Sequence, residues 1–353
     1  MREKKALPIG NDDFRKIREE NFYYVDKTLM IRDFIESKDS VTLIARPRRF
    51  GKTLNMTMMR EFFDISVNSK KIFEGLAIME TEYAGLINSK PVIFLSFKDC
   101  KARTARDLEL LLKDCLYREY LRYENIFRDK LEETALETKD FYKMIDTLRN
   151  PETGYNLFSF AILRLTEFVK DRYAVAPVLL IDEYDQPIIS SYQHGYHDET
   201  GDFFSVFYGS AMKSNPSLGQ ALLTGVQRVA KESIFSQFNN VRVYTVLDKK
   251  YAPYFGLTEK ETEETLNAYN LALDEAVQKK YNGYRFGGLV LYNPWSVLNY
   301  ADFGVLDNYW INTSSNFLVK QALQRANKPF WDKFAKLVSG MEIPVGLTLE
   351  TSY

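Results

Sequence analysis

The fold is decided by residues 40–64, which have the sequence SVTLIARPRRFGKTLNMTMMREFFD. Residues 40–45 form a short β-branched run that stops at Arg46-Pro47, which predicts a buried strand. From Lys52 to Asp64 apolar residues recur every three to four positions, which predicts a helix. The segment therefore predicts a strand, a tight loop and a helix in direct succession.

The same alternation of strands and helices continues to about Val246. Further strands are predicted at residues 91–97, 177–182, 220–224 and 241–246, and further helices at residues 105–123 and 157–173. The strand at 177–182 is apolar enough to be buried on both faces, as strands of a parallel sheet are. We therefore expect an α/β fold with a mainly parallel sheet flanked by helices.

The sequence pattern changes after Tyr251. Helices are predicted at residues 258–269 and 273–281 and after Asn293-Pro294, with turns at Asn282-Gly283 and Gly287-Gly288. We expect a core domain over residues 1–250 and a small, mainly helical subdomain over residues 251–340. Residues 341–353 are expected to begin a linker to a further C-terminal domain.

Composition argues against several classes of protein. The chain of 353 residues has 47 basic and 48 acidic side chains, and this balance argues against a general binder of polyanions. The longest apolar run, residues 174–181, is too short to span a bilayer. No apolar segment of the signal-peptide type follows the N-terminus. Two cysteines favour a reducing compartment, so we expect a cytoplasmic protein without a membrane partner.

The loop at residues 46–53, RPRRFGKT, has the context of a phosphate-binding loop. Backbone N–H groups at the start of a helix attract anions. Lys52 would face the β- and γ-phosphates, and the Thr53 hydroxyl would hold Mg²⁺. Arg46 stands where the usual pattern has glycine, so a plain helix start with solvated arginines is the alternative. The nucleotide-binding candidates here are Arg46, Arg48, Arg49, Phe50, Gly51, Lys52, Thr53 and Leu54.

A second motif is VLLIDE at residues 178–183, where a buried strand ends in two carboxylates. Asp182 would hold Mg²⁺, and Glu183 would polarise the attacking water. In open α/β sheets, ligands bind at the carboxyl ends of the strands, so both motifs point to one edge. The alternative is an acidic pair that caps the next turn.

Three further positions lie at or just after the end of the strand at 220–224. Thr224 ends that strand and is expected near the γ-phosphate. Gln227 or Arg228 would sense phosphate or serve as an arginine finger, with a plain surface charge as the alternative for Arg228. His194 and His197 lie in a polar loop, where a solvated loop is favoured over a metal site.

Taken together, the chain resembles the bacterial and archaeal AAA-ATPase-like proteins, which are P-loop ATPases of the additional-strand class allied to the STAND ATPases. The resemblance rests on LPIG at 7–10, YVDKT at 24–28, RPRRFGKT at 46–53, LIDEYD at 180–185, TGVQRVAKESI at 224–234, YNGYRF at 281–286, YNPWSV at 292–297 and WINTS at 310–314. It implies an ATP-binding domain that is often followed by a restriction-endonuclease-like domain. It also implies that Tyr24, Asp26 and Lys27 lie near the adenine, with a structural turn as the alternative.

The function expected from these residues is Mg²⁺-dependent ATP hydrolysis coupled to a conformational or assembly change. ATP and Mg²⁺ are the expected cofactors, and an arginine finger would imply a homo-oligomer. A slow nucleotide-dependent switch, the ATPase part of a nucleic-acid-processing protein and a small-molecule kinase are the alternatives.

Overall fold

The structure is a computed structural model that describes residues 4–130, 135–229, 240–310, 323–324, 326–339, 341, 343 and 350–351. The strands are β1 (Val41–Ala45), β2 (Val92–Ser96), β3 (Val178–Asp182), β4 (Gln220–Gly225), β5 (Arg228–Val229), β6 (Val241–Tyr244), β7 (Leu257–Thr258), β8 (Asn282–Phe286), β9 (Leu289–Tyr292) and β10 (Glu350–Thr351). The α-helices are α1 (Phe14–Glu19), α2 (Leu29–Ser37), α3 (Lys52–Phe63), α4 (Lys70–Phe73), α5 (Ala105–Phe127), α6 (Leu136–Arg149), α7 (Tyr155–Phe158), α8 (Ala161–Tyr173), α9 (Gln186–His194), α10 (His197–Met212), α11 (Glu259–Ala268), α12 (Glu275–Tyr281), α13 (Pro294–Phe303) and α14 (Lys328–Val338).

Five strands form a central sheet in the order β2-β3-β4-β1-β6, and all of its neighbouring pairs are parallel. β4 lies between β1 and β3, so the strand before the loop at 46–53 and the strand that ends in Asp182 are separated by one strand. Every residue of β1 and β3 is buried, as expected for strands covered on both faces. The predicted α/β fold with a mainly parallel sheet is confirmed.

Two apolar cores cover the two faces of this sheet. Leu179 and Ile181 of β3 belong to a core shared with α5, α8 and α10. Val178 and Leu180 belong to a second core, shared with α1, α2 and α3. The alternation follows from the two-residue period of a strand. Helices therefore flank the sheet on both sides, and α3 begins at its carboxyl edge.

The segment after Tyr251 contains a small sheet in addition to the predicted helices. β7, β9 and β8 pair in that order as an antiparallel sheet, with Gly287 and Gly288 at the β8–β9 turn. The predicted capping box at the start of α11 is present, because Thr258 and Glu261 bond to each other's backbone N–H. The sequence analysis predicted the turns but not this sheet. Most of the expected linker at 341–353 lies outside the described residues.

Among the helices that the structure describes, none is both long enough and apolar enough to cross a membrane.

Candidate functional site

The loop between β1 and α3 turns sharply because two of its residues have left-handed backbone conformations. Arg49 has φ of 65° and Gly51 has φ of 82°. Gly51 is the N-cap of α3, and a Cβ there would meet no neighbour within 4 Å, so glycine is favoured by conformation and not by space. The backbone N–H of Arg46 donates to the carbonyl of Gly225 at 3.0 Å. The loop is thereby attached to the end of β4.

The side chain of Lys52 lies inside this loop and bonds to its backbone. Its side chain is buried, and Nζ donates to the carbonyl oxygens of Arg46 at 3.2 Å and Pro47 at 3.0 Å. Burial lowers the pKa of Lys52, and the nearby carboxylates, Glu183 foremost, oppose that effect. Arg48 is half-buried and close enough for its charge to act on both Lys52 and Glu183. The loop therefore holds a buried cation beside an acidic strand end.

Asp182 joins α3, β3 and β4 through two hydroxyl groups. The Thr53 hydroxyl donates to Oδ2 of Asp182 at 2.7 Å, and the Thr224 hydroxyl donates to Oδ1 at 2.6 Å. Asp182 and Thr224 are fully buried. The sequence placed these three residues at one edge of the sheet, and the structure brings them into direct contact.

The donors around Asp182 are all oxygen atoms, the class that Mg²⁺ prefers. Among the described residues, no group of three or more His, Cys, Asp or Glu side chains could hold a metal ion. Thr53 and Asp182 thus offer a hydroxyl and a carboxylate and leave other positions open. Mg²⁺ typically binds proteins in this way, through one or two side chains together with substrate phosphates and water. The residues present therefore fit Mg²⁺ held jointly with a phosphate ligand.

Glu183 has a left-handed backbone conformation, with φ of 52°, which is costly for a residue with a side chain. Two backbone bonds fix the turn: Tyr184 N–H donates to the carbonyl of Thr224, and Gln186 N–H to that of Glu183, both at 3.0 Å. Burial raises the pKa of Glu183, and the Lys52 ammonium opposes the shift. Glu183 lines the same cavity as Lys52.

Asp185 is a site residue to which the sequence analysis gave no role. Its buried carboxylate accepts the backbone N–H groups of Val226 and Gln227, both at 2.8 Å. Burial raises its pKa to about 6, against those two hydrogen bonds. The only sequence signal was its place in LIDEYD at 180–185. Asp185 holds the segment after β4 against the end of β3.

A cavity of about 300 Å³ opens at this edge of the sheet. One wall is the loop and the first turn of α3, and a second wall is the N-terminal segment at residues 8–12. A third wall is the first turn of α13, with Trp295 beside the loop: the Arg49 guanidinium carbon lies 3.8 Å from the centroid of a Trp295 ring. The second and third walls were not predicted, although the LPIG and YNPWSV motifs include residues of both.

Arg46 and Phe50 do not face this cavity. Arg46 is fully buried, and its Nη1 donates to the carbonyls of Ala45 at 2.9 Å and Tyr244 at 3.1 Å. Burial lowers the pKa of Arg46 to about 10. The buried ring of Phe50 packs against Tyr284, with centroids 4.7 Å apart. Both side chains instead stabilise the loop, through the contact of Arg46 with β6 and the contact of Phe50 with β8.

Asp26 has a structural role in this arrangement. Its carboxylate accepts the backbone N–H of Thr28 at 2.8 Å and that of Ala77 at 2.7 Å, which matches the structural-turn alternative. Lys27 pairs with Glu261 at 2.6 Å. Tyr24 lines a second cavity of about 90 Å³, which shares Pro8, Gly51, Leu54, Pro294 and Leu298 with the first. Val25 and Lys27 of the YVDKT motif and Phe50 of the loop line this neighbouring cavity together with Tyr24.

Arg228 begins β5, whose backbone pairs in parallel with β10, and Glu350 is opposite Arg228 in that register. Its predicted role as an arginine finger stays a prediction.

Comparisons with known proteins give a relative and a family for this chain. The chain is 29% identical over 330 residues to an "Uncharacterized protein in vnfD 5'region" of Azotobacter chroococcum mcd 1, an alignment that covers 91% of this chain. This chain spans only 57% of that relative's length. The model of a family described as "Predicted AAA-ATPase" matches residues 8–235, which is more than half of the chain. The chain therefore belongs to this predicted AAA-ATPase-like family.

Proposed function

We propose that this chain binds ATP with Mg²⁺ at the carboxyl edge of its sheet and hydrolyses it, and that turnover drives a conformational or assembly change. Family membership suggests nucleotide binding. The observation that carries the proposal is the bonding of Asp182 to both Thr53 and Thr224, directly beside the buried Lys52. The position of β4 between β1 and β3 supports an additional-strand P-loop ATPase.

Different groups of the chain would bind the phosphates and the Mg²⁺ ion. The first backbone N–H groups of α3 and the Lys52 ammonium would receive the phosphates. Thr53 and Asp182 would hold Mg²⁺, which would neutralise charge on the phosphate oxygens when bound. Thr224 fixes the Asp182 carboxylate through its hydroxyl.

Glu183 is the residue best placed to orient or deprotonate water. It lines the cavity beside Lys52, and burial raises its pKa above the ordinary value for glutamate, which strengthens it as a base. Asp185 would act as a positioning residue, because it holds the segment that leads to Arg228. A homo-oligomer, a C-terminal nuclease-like domain, nucleic acid and a cytoplasmic location are further proposals that rest on the sequence.

The alternative function is a slow nucleotide-dependent switch that uses the same cavity. Its distinguishing property is nucleotide binding without measurable turnover by the unmodified chain.

The test is calorimetric titration of ATP with Mg²⁺ into the unmodified chain, Thr53→Val and Thr53→Ser. Loss of a hydrogen bond to a charged group costs about 1.5–3 kcal/mol, so Thr53→Val should weaken binding by roughly tenfold or more. Thr53→Ser keeps the hydroxyl and should bind within a few-fold of the unmodified chain. Lys52→Ala should abolish binding, while Lys70→Ala, at an exposed position, should not. Equal ATP affinity of Lys52→Ala and the unmodified chain would contradict the phosphate site.

A further inference from the structure

The lining of the cavity beside Lys52 is of two chemical kinds. One part includes Lys52, Thr53 and Glu183, to which roles towards the phosphates, Mg²⁺ and water are assigned above. The other part is apolar, and we call it the apolar slot. It is formed by Pro8, Ile9, Leu54, Pro294, Trp295 and Leu298. A mostly apolar site with a few convergent polar groups is typical of a small-ligand site, and the volume of about 300 Å³ lies at the lower end of the usual range.

Hydrogen bonds fix both walls of the slot. The N-terminal wall is held by two backbone bonds, from Tyr23 N–H to the carbonyl of Ala6 at 2.8 Å and from Asn11 N–H to that of Pro8 at 3.1 Å. On the opposite wall, Trp295 Nε1 donates to the carbonyl of Tyr309 at 3.0 Å, which sets the orientation of the indole. The slot is thus preformed, so a ligand would lose little free energy in ordering it.

The face of Trp295 already accepts a flat group. The planar Arg49 guanidinium lies over the ring at 3.8 Å, and Arg49 is otherwise exposed to solvent. A nucleobase is also flat, and its stacking on an aromatic side chain is worth about 1–3 kcal/mol. Arg49 belongs to the loop at 46–53, so this ring lies beside the groups assigned to the phosphates, and a base stacked there would take the place of the exposed guanidinium.

We propose that the apolar slot binds the base of the nucleotide and that Trp295 is the surface on which the base stacks. This inference rests on the proposed function, because the loop must hold the phosphates of the same ligand. It places the base contact away from Asp26, whose carboxylate is bonded to Thr28 and Ala77.

The test is calorimetry on the full chain with two probes, ATP and inorganic tripolyphosphate, each with Mg²⁺. Trp295→Ala should weaken ATP binding by roughly 5- to 150-fold, the equivalent of 1–3 kcal/mol. It should leave tripolyphosphate binding within about twofold, because that probe has no base. Trp295→Phe, which keeps an aromatic face, should recover most of the ATP affinity. The matched control is Trp331→Ala, because Trp331 lies on α14, is 44% exposed and does not line the cavity.

A second variant keeps the proposal falsifiable if Trp295→Ala does not fold. Ile9 is half-buried, so Ile9→Ser should fold and selectively weaken ATP binding. An equal loss for ATP and tripolyphosphate in Trp295→Ala and Ile9→Ser would show that these residues only support the loop, and would overturn the base slot. Unchanged ATP binding in both variants would overturn it as well. If the unmodified chain bound neither probe, the proposed function itself would fail.

Discussion

At the scale of single residues, Glu183 has a strained backbone conformation and lines the cavity of the candidate site. A left-handed conformation costs a residue with a side chain of order 1–3 kcal/mol, and only surroundings that over-determine the turn maintain it. Here the end of β4 fixes that turn through the bond from Tyr184 N–H to the carbonyl of Thr224. The bonded turn therefore keeps the Glu183 carboxylate in the cavity beside Lys52 in spite of the strain.

Glu183→Gln separates hydrolysis from binding. The amide keeps the shape and loses the charge that assists water, so turnover should fall by about 10²-fold or more. ATP affinity should stay within a few-fold, since Lys52, Thr53 and Asp182 remain. Steady-state hydrolysis and equilibrium titration measure the two quantities, with the exposed Glu199→Gln as the control. Normal turnover by Glu183→Gln would remove Glu183 from the mechanism, and no turnover by the unmodified chain would favour the switch.

The raised pKa of Asp185 leads to a prediction about how the free energy of unfolding depends on pH. Its pKa is about 6 in the fold and 3.8 ordinarily, so the folded state keeps a proton that the unfolded chain releases between these values. The free energy of unfolding should therefore fall by roughly 2 kcal/mol from this group as pH rises from about 4 to 6. Asp185→Asn should lack that component, because an amide does not titrate.

Urea unfolding of both proteins from pH 4 to 7 gives the difference between their stabilities. Taking the difference removes the contributions of the other carboxylates, which the two proteins share. Parallel stability curves would contradict the raised pKa of Asp185.

At the scale of elements, the β8–β9 hairpin supports the loop at residues 46–51. Phe50 packs on Tyr284, and the Arg46 guanidinium carbon lies 5.2 Å from the ring centroid of Phe286. The β8–β9 hairpin is also bonded to the segment that follows β6, because Gly287 N–H donates to the carbonyl of Val246 at 2.9 Å. A disturbance of the β8–β9 turn should therefore reach the loop.

The two glycines of this turn form a matched pair. Both have positive φ, but a Cβ at Gly287 would lie 2.5 Å from the backbone N and Cα of Lys249, whereas one at Gly288 would meet nothing within 4 Å. Gly288→Ala should cost about 1–2 kcal/mol through conformation alone. Gly287→Ala should cost about 1–3 kcal/mol more, because the backbone must shift. Urea unfolding compares the two variants, and equal losses would contradict the close approach.

The elements that the sequence predicted well are those whose signal is local. The bounds of β1, β3 and α3 agree with the predictions within one or two residues, because apolar run, loop and helix period are all contained in short segments. β8 was missed because it is mostly exposed and begins with Asn-Gly, which also favours a turn. The orientation of Arg46 and the approach of Trp295 depend on partners far along the chain, and no local pattern encodes such contacts.

At the scale of the whole molecule, an arginine finger supplied by a neighbouring copy would make the rate of ATP hydrolysis depend on protein concentration. If Arg228 completes the site of a neighbouring copy, specific activity should fall on dilution, and Arg228→Ala should lose up to about 10³- to 10⁵-fold in rate. Arg242→Ala is the control, because that side chain is 72% exposed and its nearest carboxylate oxygen, on Asp39, is 3.7 Å away. Hydrolysis rates across a wide dilution series, beside sedimentation, provide the measurement. A flat specific activity together with an active Arg228→Ala would exclude the finger.

The central position of β1 has a consequence for the newly made chain. Val41 of β1 pairs with Ala221 and Val241, so both partner strands are synthesised long after β1 itself. At about 5–20 residues per second, the ribosome takes roughly 9–36 s to travel from β1 to β4. For most of that interval β1 has no strand beside it, and β2 gains its neighbour β3 only after residue 182 has been made. An unpaired strand that is mostly apolar is a template for aggregation. The yield of folded protein in a cell should therefore be limited by protection of the nascent chain and should fall when translation is slowed between residues 45 and 220.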